Sequence, residues 1–318
     1  MKKHSITLIW IGVCLGLTKL AKSQACCGNP NISGNTENIL SFTTLSKKGL
    51  VIDLNTDFTQ LKHNSHTNNP HSHGHNHSHG VHHHHNTNSI DTHAQLQSIL
   101  LSTLQIRYGL HEKLTLHAQA PFWIANSSNR HASLLGDVSV SASYRIAQSE
   151  KHGIGTTIGL ELPTGNTYIL FENNYLITGS GSIDPFIAAF LWFKHSRWLA
   201  RTQSYYKQGM KGFDNIHFGS TFNTQTWIAY YLTNLDRKDF AVNLNTGLNQ
   251  DWSEPHALNR QWIENTGSFV LWYHVGMQVR YKKFILPAHF LIPIYTDLRG
   301  IQNQPKWRIK TGLTWLLY

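Results

Sequence analysis

Thr266-Gly267-Ser268-Phe269-Val270-Leu271-Trp272-Tyr273-His274-Val275-Gly276-Met277-Gln278-Val279-Arg280-Tyr281 is the stretch on which the fold turns. Phe269, Leu271, Tyr273, Val275, Met277 and Val279 occupy alternate positions, with Trp272, His274, Gln278 and Arg280 between them. Period two is a strand signal, because successive side chains of a strand point to opposite faces. A helix would need apolar residues every three or four positions, and no long stretch of this chain has them.

The same rhythm runs outward in both directions. Leu114, Leu116, Ala118 and Ala120 alternate with Lys113, Thr115, His117 and Gln119; Val138, Val140, Ala142, Tyr144 and Ile146 alternate with Ser139, Ser141, Ser143 and Arg145. Phe240, Val242 and Leu244 interleave with Ala241, Asn243 and Asn245. Twelve such segments are expected, at about 48–61, 94–107, 111–122, 136–147, 153–163, 184–195, 197–208, 217–232, 238–250, 266–281, 283–294 and 306–318. Their connections sort by length. The even-numbered ones are tight (Tyr108–Leu110, Gln148–His152, near Ser196, Thr233–Arg237, near Lys282), whereas the odd-numbered ones are mostly long, with 32 residues at 62–93 and 20 at 164–183. Long loops at one end, short turns at the other and an even strand count are the layout of an outer-membrane barrel. Segments of ten or more residues suit tilted bilayer spans and exceed the ~5–6 residues usual in soluble sheets. Trp123, Trp198, Trp252, Trp262 and Trp307 fall near segment ends, where interfacial girdles would sit.

Composition agrees. Of the 318 residues, 40% are hydrophobic but only 14% are charged, against roughly 25% charged in ordinary soluble domains. An aromatic content of 11% excludes a disordered chain. After residue 21 no run approaches the ~20 apolar residues of a spanning helix. Three cysteines do not make a disulfide framework. Met1 to Ser23 reads as a cleaved secretory signal: Lys2 and Lys3, an apolar run from Ile6 to Leu17, then small residues near Ala21, Ser23 and Ala25. The formal charge of +10 includes four lysines of that segment, so the mature chain carries +6. Cys14 goes with the signal, leaving the vicinal Cys26 and Cys27 as soft-metal ligands, a link to another chain, or incidental residues.

The expected organisation is a signal peptide at 1–23, a periplasmic N-terminal segment at 24–47 and an all-β, transmembrane, up-and-down antiparallel β-barrel of about 12 strands at 48–318. A wet lumen would accept the polar alternate positions, so His117, Arg145, Glu161, Arg201, His274, Arg280 and His289 are expected to line it. The final Lys310-Thr311-Gly312-Leu313-Thr314-Trp315-Leu316-Leu317-Tyr318 resembles the terminal-strand signal read by the barrel-insertion machinery of outer membranes. That machinery and the outer-membrane lipid of a diderm bacterium are the expected partners.

One loop stands apart. Residues 63–93 hold 12 of the 22 histidines: His63, His66, the alternating His71, His73, His75, His77 and His79, the run His82, His83, His84 and His85, and His93. Neutral imidazole binds Zn, Ni, Co and Cu(II), and Ser72, Gly74, Ser78 and Gly80 leave the backbone able to wrap several rings round one ion. The tract fixes no geometry, so affinity would follow the general divalent order, with Cu(II) favoured. Its bland reading is a solvated low-complexity loop. Below the ordinary imidazole pKa of ~6.5 the rings would charge and release metal.

No catalytic chemistry is expected. His117, His274 and His289 each stand alone on a strand, and no spacing marks a nucleophile with its base. Gly165, Gly179 and Gly181 open no helix, so they form no phosphate cradle. The modest basic excess lies on no helix, which argues against nucleic acid.

Gly136-Asp137-Val138-Ser139-Val140-Ser141-Ala142-Ser143-Tyr144-Arg145, then Gly159-Leu160-Glu161-Leu162-Pro163-Thr164-Gly165-Asn166, then Gly179-Ser180-Gly181-Ser182-Ile183-Asp184-Pro185, resembles the outer-membrane family named after the MetA pathway of phenol degradation. The resemblance covers residues 136–185; beyond it only the layout of strands and turns agrees, and the His-rich loop is an addition. It implies a barrel of about this strand number with a transport role. The expected function is passage of a small solute through the lumen, with the His loop concentrating metal at the mouth. The alternative is a non-conducting metal-binding or adhesive surface protein that the barrel anchors.

Overall fold

The computed structural model describes residues 45–62, 96–127, 131–166, 169–171, 174–176, 178–233, 239–300 and 302–317. The expected signal peptide, Cys26, Cys27 and the His-rich tract lie outside the described residues. Twelve long strands form the wall: β1 (Leu50–Lys62), β2 (Leu96–His111), β3 (Leu114–Ser127), β4 (Val138–Gln148), β5 (His152–Leu162) and β6 (Asp184–His195), then β7 (Trp198–Lys207), β8 (Thr221–Tyr231), β9 (Phe240–Ser253), β10 (Ser268–Tyr281), β11 (Phe284–Leu298) and β12 (Gln304–Leu317). Each pairs antiparallel with its neighbour in sequence, and β1 pairs with β12 from Leu50↔Leu317 to Lys62↔Gln304, which closes the sheet. Closure leaves no strand edge, the condition for sheet structure to cross a bilayer. The expected closed twelve-stranded antiparallel barrel is the observed fold.

The two faces explain why it closes this way. Along β2, Leu101, Thr103, Gln105 and Arg107 are buried, while Leu104, Ile106, Tyr108 and Leu110 are exposed. Around the wall the outward set includes Leu54, Ile158, Ile187, Ile228, Leu244, Met277 and Ile292, each between 47% and 61% exposed. So continuous an apolar girdle would be unsupportable in water; a hydrocarbon layer covers it.

The inner face is more mixed than a wet polar lumen. Polar Asp53, Asn55, Gln105, Gln225, Asn243 and Thr314 share it with Phe186, Ala188, Trp227, Trp272, Ile285 and Leu291. At β6 the sequence Phe186-Ile187-Ala188-Ala189-Phe190 is apolar on both alternations, so polarity could not tell the faces apart there. Of the five tryptophans expected at an interface, Trp198 and Trp262 are exposed, but Trp123 turns inward and is buried with Leu96, Ile99, Leu101 and Leu134.

Two of the boundaries that moved have a local cause. The β2–β3 turn is at Glu112–Lys113, not Tyr108–Leu110, because the ladder continues through Gly109 with a local irregularity before His111. Gly109 belongs to the strand because the backbone of Ser46 packs directly on it, where any Cβ would collide. The segment expected at 217–232 is interrupted: Ile216–His217 pairs instead with Ala257–Leu258 above the barrel, and the spanning strand begins at Thr221. Gly219 makes the break, lying against the carbonyl of Glu254 where no side chain fits.

Candidate functional site in the barrel lumen

At the end carrying the short turns, the segment before β1 folds back against the wall. Leu45 is buried with Val51, Ile285 and Leu316, and its backbone N–H donates to the hydroxyl of inward-facing Thr115 at 2.9 Å. Just above, Arg107 of β2 donates to both carboxylate oxygens of Asp53 on β1, at 2.8 and 3.1 Å. The Thr314 hydroxyl of β12 donates to the same carboxylate. One buried carboxylate thus ties the three strands at which the sheet closes.

Further along, Lys310 approaches Asp57 at 3.8 Å. His274 and His289, on adjacent strands, meet edge to face with ring centroids 5.8 Å apart. Gly276 lies opposite His289 in the register, and a Cβ there would collide with the imidazole. Arg308 contacts Asp57 at 3.4 Å and Asp251 at 3.3 Å, and its guanidinium lies 4.3 Å from the ring centroid of Trp272. On the opposite wall Lys207 pairs with Glu161 at 2.6 Å, and the Tyr205 hydroxyl reaches the same carboxylate at 3.5 Å. Arg201 lies 5.4 Å from the centroid of Trp227 and bonds Gln203. Buried charges so placed demand partners, since an uncompensated one costs several kcal/mol. On this side lies a cavity of about 50 Å³, lined among others by Gln105, His117, Ser141, Thr157, Phe190 and Gln203. It has room for a few waters.

Of the seven residues that the sequence points to as lining, His117, Glu161, Arg201, His274 and His289 lie on the inner face. Arg145 and Arg280 sit at the turn end instead, Arg145 bonded to Gln148 and the carbonyl of Glu112, and Arg280 donating to the carbonyl of Lys282 at 3.4 Å. Asp53, Asp57, Arg107, Lys207, Asp251 and Arg308 were missed. The first two had a signal: Asp53, Asn55, Asp57 and Thr59 form an unbroken alternating polar row on β1. The nine histidines singled out as metal ligands, His71 to His85, lie outside the described residues. Among the described residues no cluster of three or more His, Cys, Asp or Glu could hold a metal.

At the loop end the three motif elements interlock. Asp137 accepts the N–H of Gly165 at 2.9 Å, the N–H of Ser180 at 2.7 Å and the Ser180 hydroxyl at 3.0 Å. Asp184 accepts the Ser182 hydroxyl at 2.7 Å and the N–H of Met210 at 3.0 Å. Gly136, Gly165 and Gly179 stack backbone on backbone, so close that a Cβ on Gly165 or Gly179 would strike the glycine below. Beside them the N–H of Gly219 donates to Nδ1 of His256 at 3.0 Å, which fixes that ring as neutral with its proton on Nε2. Burial, reinforced by the Lys207 ammonium, lowers the His256 pKa to about 4.

Neither a family model nor a curated protein matches the sequence. Among solved structures the chain is similar to the COG4313 outer membrane channel from Pseudomonas putida F1. The TM-score is 0.61 at 14% identity, over 87% of this chain and 98% of that one. This chain has the fold of an outer-membrane barrel. The beta domain of the Bordetella autotransporter BrkA (TM-score 0.45, 10% identity, 86% of this chain and 100% of that one) and LpxR from Salmonella typhimurium (0.39, 8%, 83% and 99%) show weaker likeness.

Proposed function

We propose that the protein is an outer-membrane channel or transporter for a small solute, with its His-rich loop binding divalent transition metal at the mouth. The observation that carries the reading is the pairing of an apolar outer girdle with an inner face rich in charge. Asp57, Glu161, Lys207, Arg308 and Lys310 carry that charge, in addition to the Asp53–Arg107 pair that ties the seam of the sheet. Such groups filter solutes by charge, as rings of charged side chains do in other pores. The similar solved structure is itself described as a channel, which agrees with this reading.

In this reading the turn end faces the periplasm, the long loops face outward, and an exported precursor reaches the membrane through its signal peptide and terminal strand. The imidazoles of residues 71–85 hold Zn, Ni, Co or Cu ions weakly and at several sites, raising their concentration at the mouth. The barrel itself needs no cofactor and performs no covalent chemistry. The small size of the cavity lined by Gln105, His117 and Phe190 favours a second reading, in which the barrel does not conduct and anchors a metal-binding or adhesive loop.

Single-channel conductance of the refolded protein in a planar bilayer, with and without micromolar Zn(II) or Cu(II), separates the two. Conductance that metal blocks or gates is the expected result. A silent barrel that still binds several metal ions per chain supports the anchor.

A further inference from the structure

Arg308 holds an unusual position. It extends from β12, yet one of its carboxylate partners, Asp251, belongs to β9. Strands in a sheet lie about 4.8 Å apart, so these two are roughly 14 Å apart along the wall. The contact must therefore cross the lumen as a chord. Trp272, on the intervening β10, supports the chord from below: its ring lies 4.3 Å from the guanidinium, and its Nε1–H donates to Asp251 at 2.9 Å. Asn223 of β8 donates to the other oxygen of Asp251. At the near end Arg308 donates to the Thr59 hydroxyl at 3.0 Å and lies 3.4 Å from Asp57, both on β1. Side chains of three other strands, β1, β9 and β10, thus converge on one guanidinium, which is stacked and bonded on two sides and is poorly placed to swing away.

The geometry points to Arg308 as the constriction of the pore: held between Asp251 of β9 and Asp57 of β1, its side chain spans the lumen where solute must pass. The bridge also sets the charge at the narrow point, one guanidinium holding two carboxylates. This inference rests on the channel reading.

The test compares wild type with Arg308→Ala and Asp251→Asn in planar bilayers of the same lipid under a potassium chloride gradient. Folding is verified by the shift in gel mobility that heating abolishes. Arg308→Met, which keeps the stem over Trp272, replaces the alanine variant if that one does not refold. Losing the chord should raise unitary conductance about twofold or more, and baring Asp57 and Asp251 should move the reversal potential toward cations. Asp251→Asn should give a smaller rise without the cation shift. A silent wild type with a conducting Arg308→Ala supports the inference equally. Wild-type conductance unchanged in Arg308→Ala, in size and selectivity, overturns it and leaves the channel standing. Silence of every folded variant overturns both.

Discussion

Asp53 and Arg107 form a two-pronged ion pair inside the barrel, at 2.8 and 3.1 Å, with each side chain 3% exposed or less. They face each other diagonally across the first ladder of the sheet: Asp53 stands opposite Gln105, and Arg107 opposite Val51. Thr314 of the last strand bonds the same carboxylate, so the pair stands where the first strand meets both of its neighbours. A buried pair adds little net stability, but removing one partner strands the other. Asp53→Ala should therefore lower unfolding stability by about 3–5 kcal/mol, measured by urea unfolding in micelles. Adding Arg107→Met to Asp53→Ala should recover much of that loss, because the orphaned charge goes with it.

The outward girdle makes a different demand. Ile158 is 61% exposed at the middle of β5, where only hydrocarbon can cover it. Arg placed there should cost about 2–4 kcal/mol in bilayers, falling toward zero for the same change near a strand end. Equal costs at both depths, from refolding titrations in lipid vesicles, would show that Ile158 does not face the bilayer core.

Much of this architecture was legible because a closed sheet has a strict code. Alternation in segments such as 266–281, together with connections that sort by length, gave the strand count and the closed topology. What stayed hidden has two physical causes. Where both faces are apolar, as at Phe186 to Phe190, alternation carries no information, so the aromatic wall of the cavity could not be read. And a chord such as Arg308 to Asp251 joins residues whose strands are not neighbours. Neither period nor local motif encodes such a contact; barrel curvature and side-chain reach create it. Arg145 and Arg280 show the converse. They keep the alternation but sit so near the turns that they end at the rim.

His256 makes the loop end sensitive to acid. Its unprotonated Nδ1 accepts the Gly219 N–H, and burial with the nearby Lys207 lowers its pKa from 6.5 to about 4. A base whose folded pKa is depressed binds more protons when its surroundings open. Its contribution is thus complete above pH ~6.5 and is lost as pH falls through the window down to about 4. The expected readout is one histidine in a ¹³C-histidine NMR titration with a pKa near 4, missing in His256→Gln. That variant should also admit protease to the 209–220 loop at pH 7, as acid does for the wild type.

Asp137 is the pin of the interlocked loops, accepting from Gly165 and twice from Ser180. Asp137→Ala leaves two backbone N–H groups without their acceptor, a loss of roughly 1–3 kcal/mol borne by the loops and not by the strands. The barrel should still resist sodium dodecyl sulfate unheated, while residues 163–166 and 178–183 become open to protease. Protection equal to wild type would mean that the stacked glycines hold the loops unaided.

Removing residues 63–93 separates the loop from the barrel. Gln60 of β1 pairs with Ser98 of β2, so the two strands already stand side by side where the tract leaves the wall, and a turn of about two to five residues can rejoin them. The deletion should therefore refold with the same gel shift as wild type. It also removes 12 of the 22 histidines, and no cluster of three or more ligating side chains exists among the described residues to replace them. Titration calorimetry with Cu(II) or Ni(II) at pH 7.5 should accordingly show several ions bound by wild type and little heat from the deletion. Lowering the pH through ~6.5 should strip the metal from wild type, since imidazole must lose its proton to bind. Undiminished binding by the deletion would move the metal site to another part of the chain, with Cys26 and Cys27 the next residues to replace.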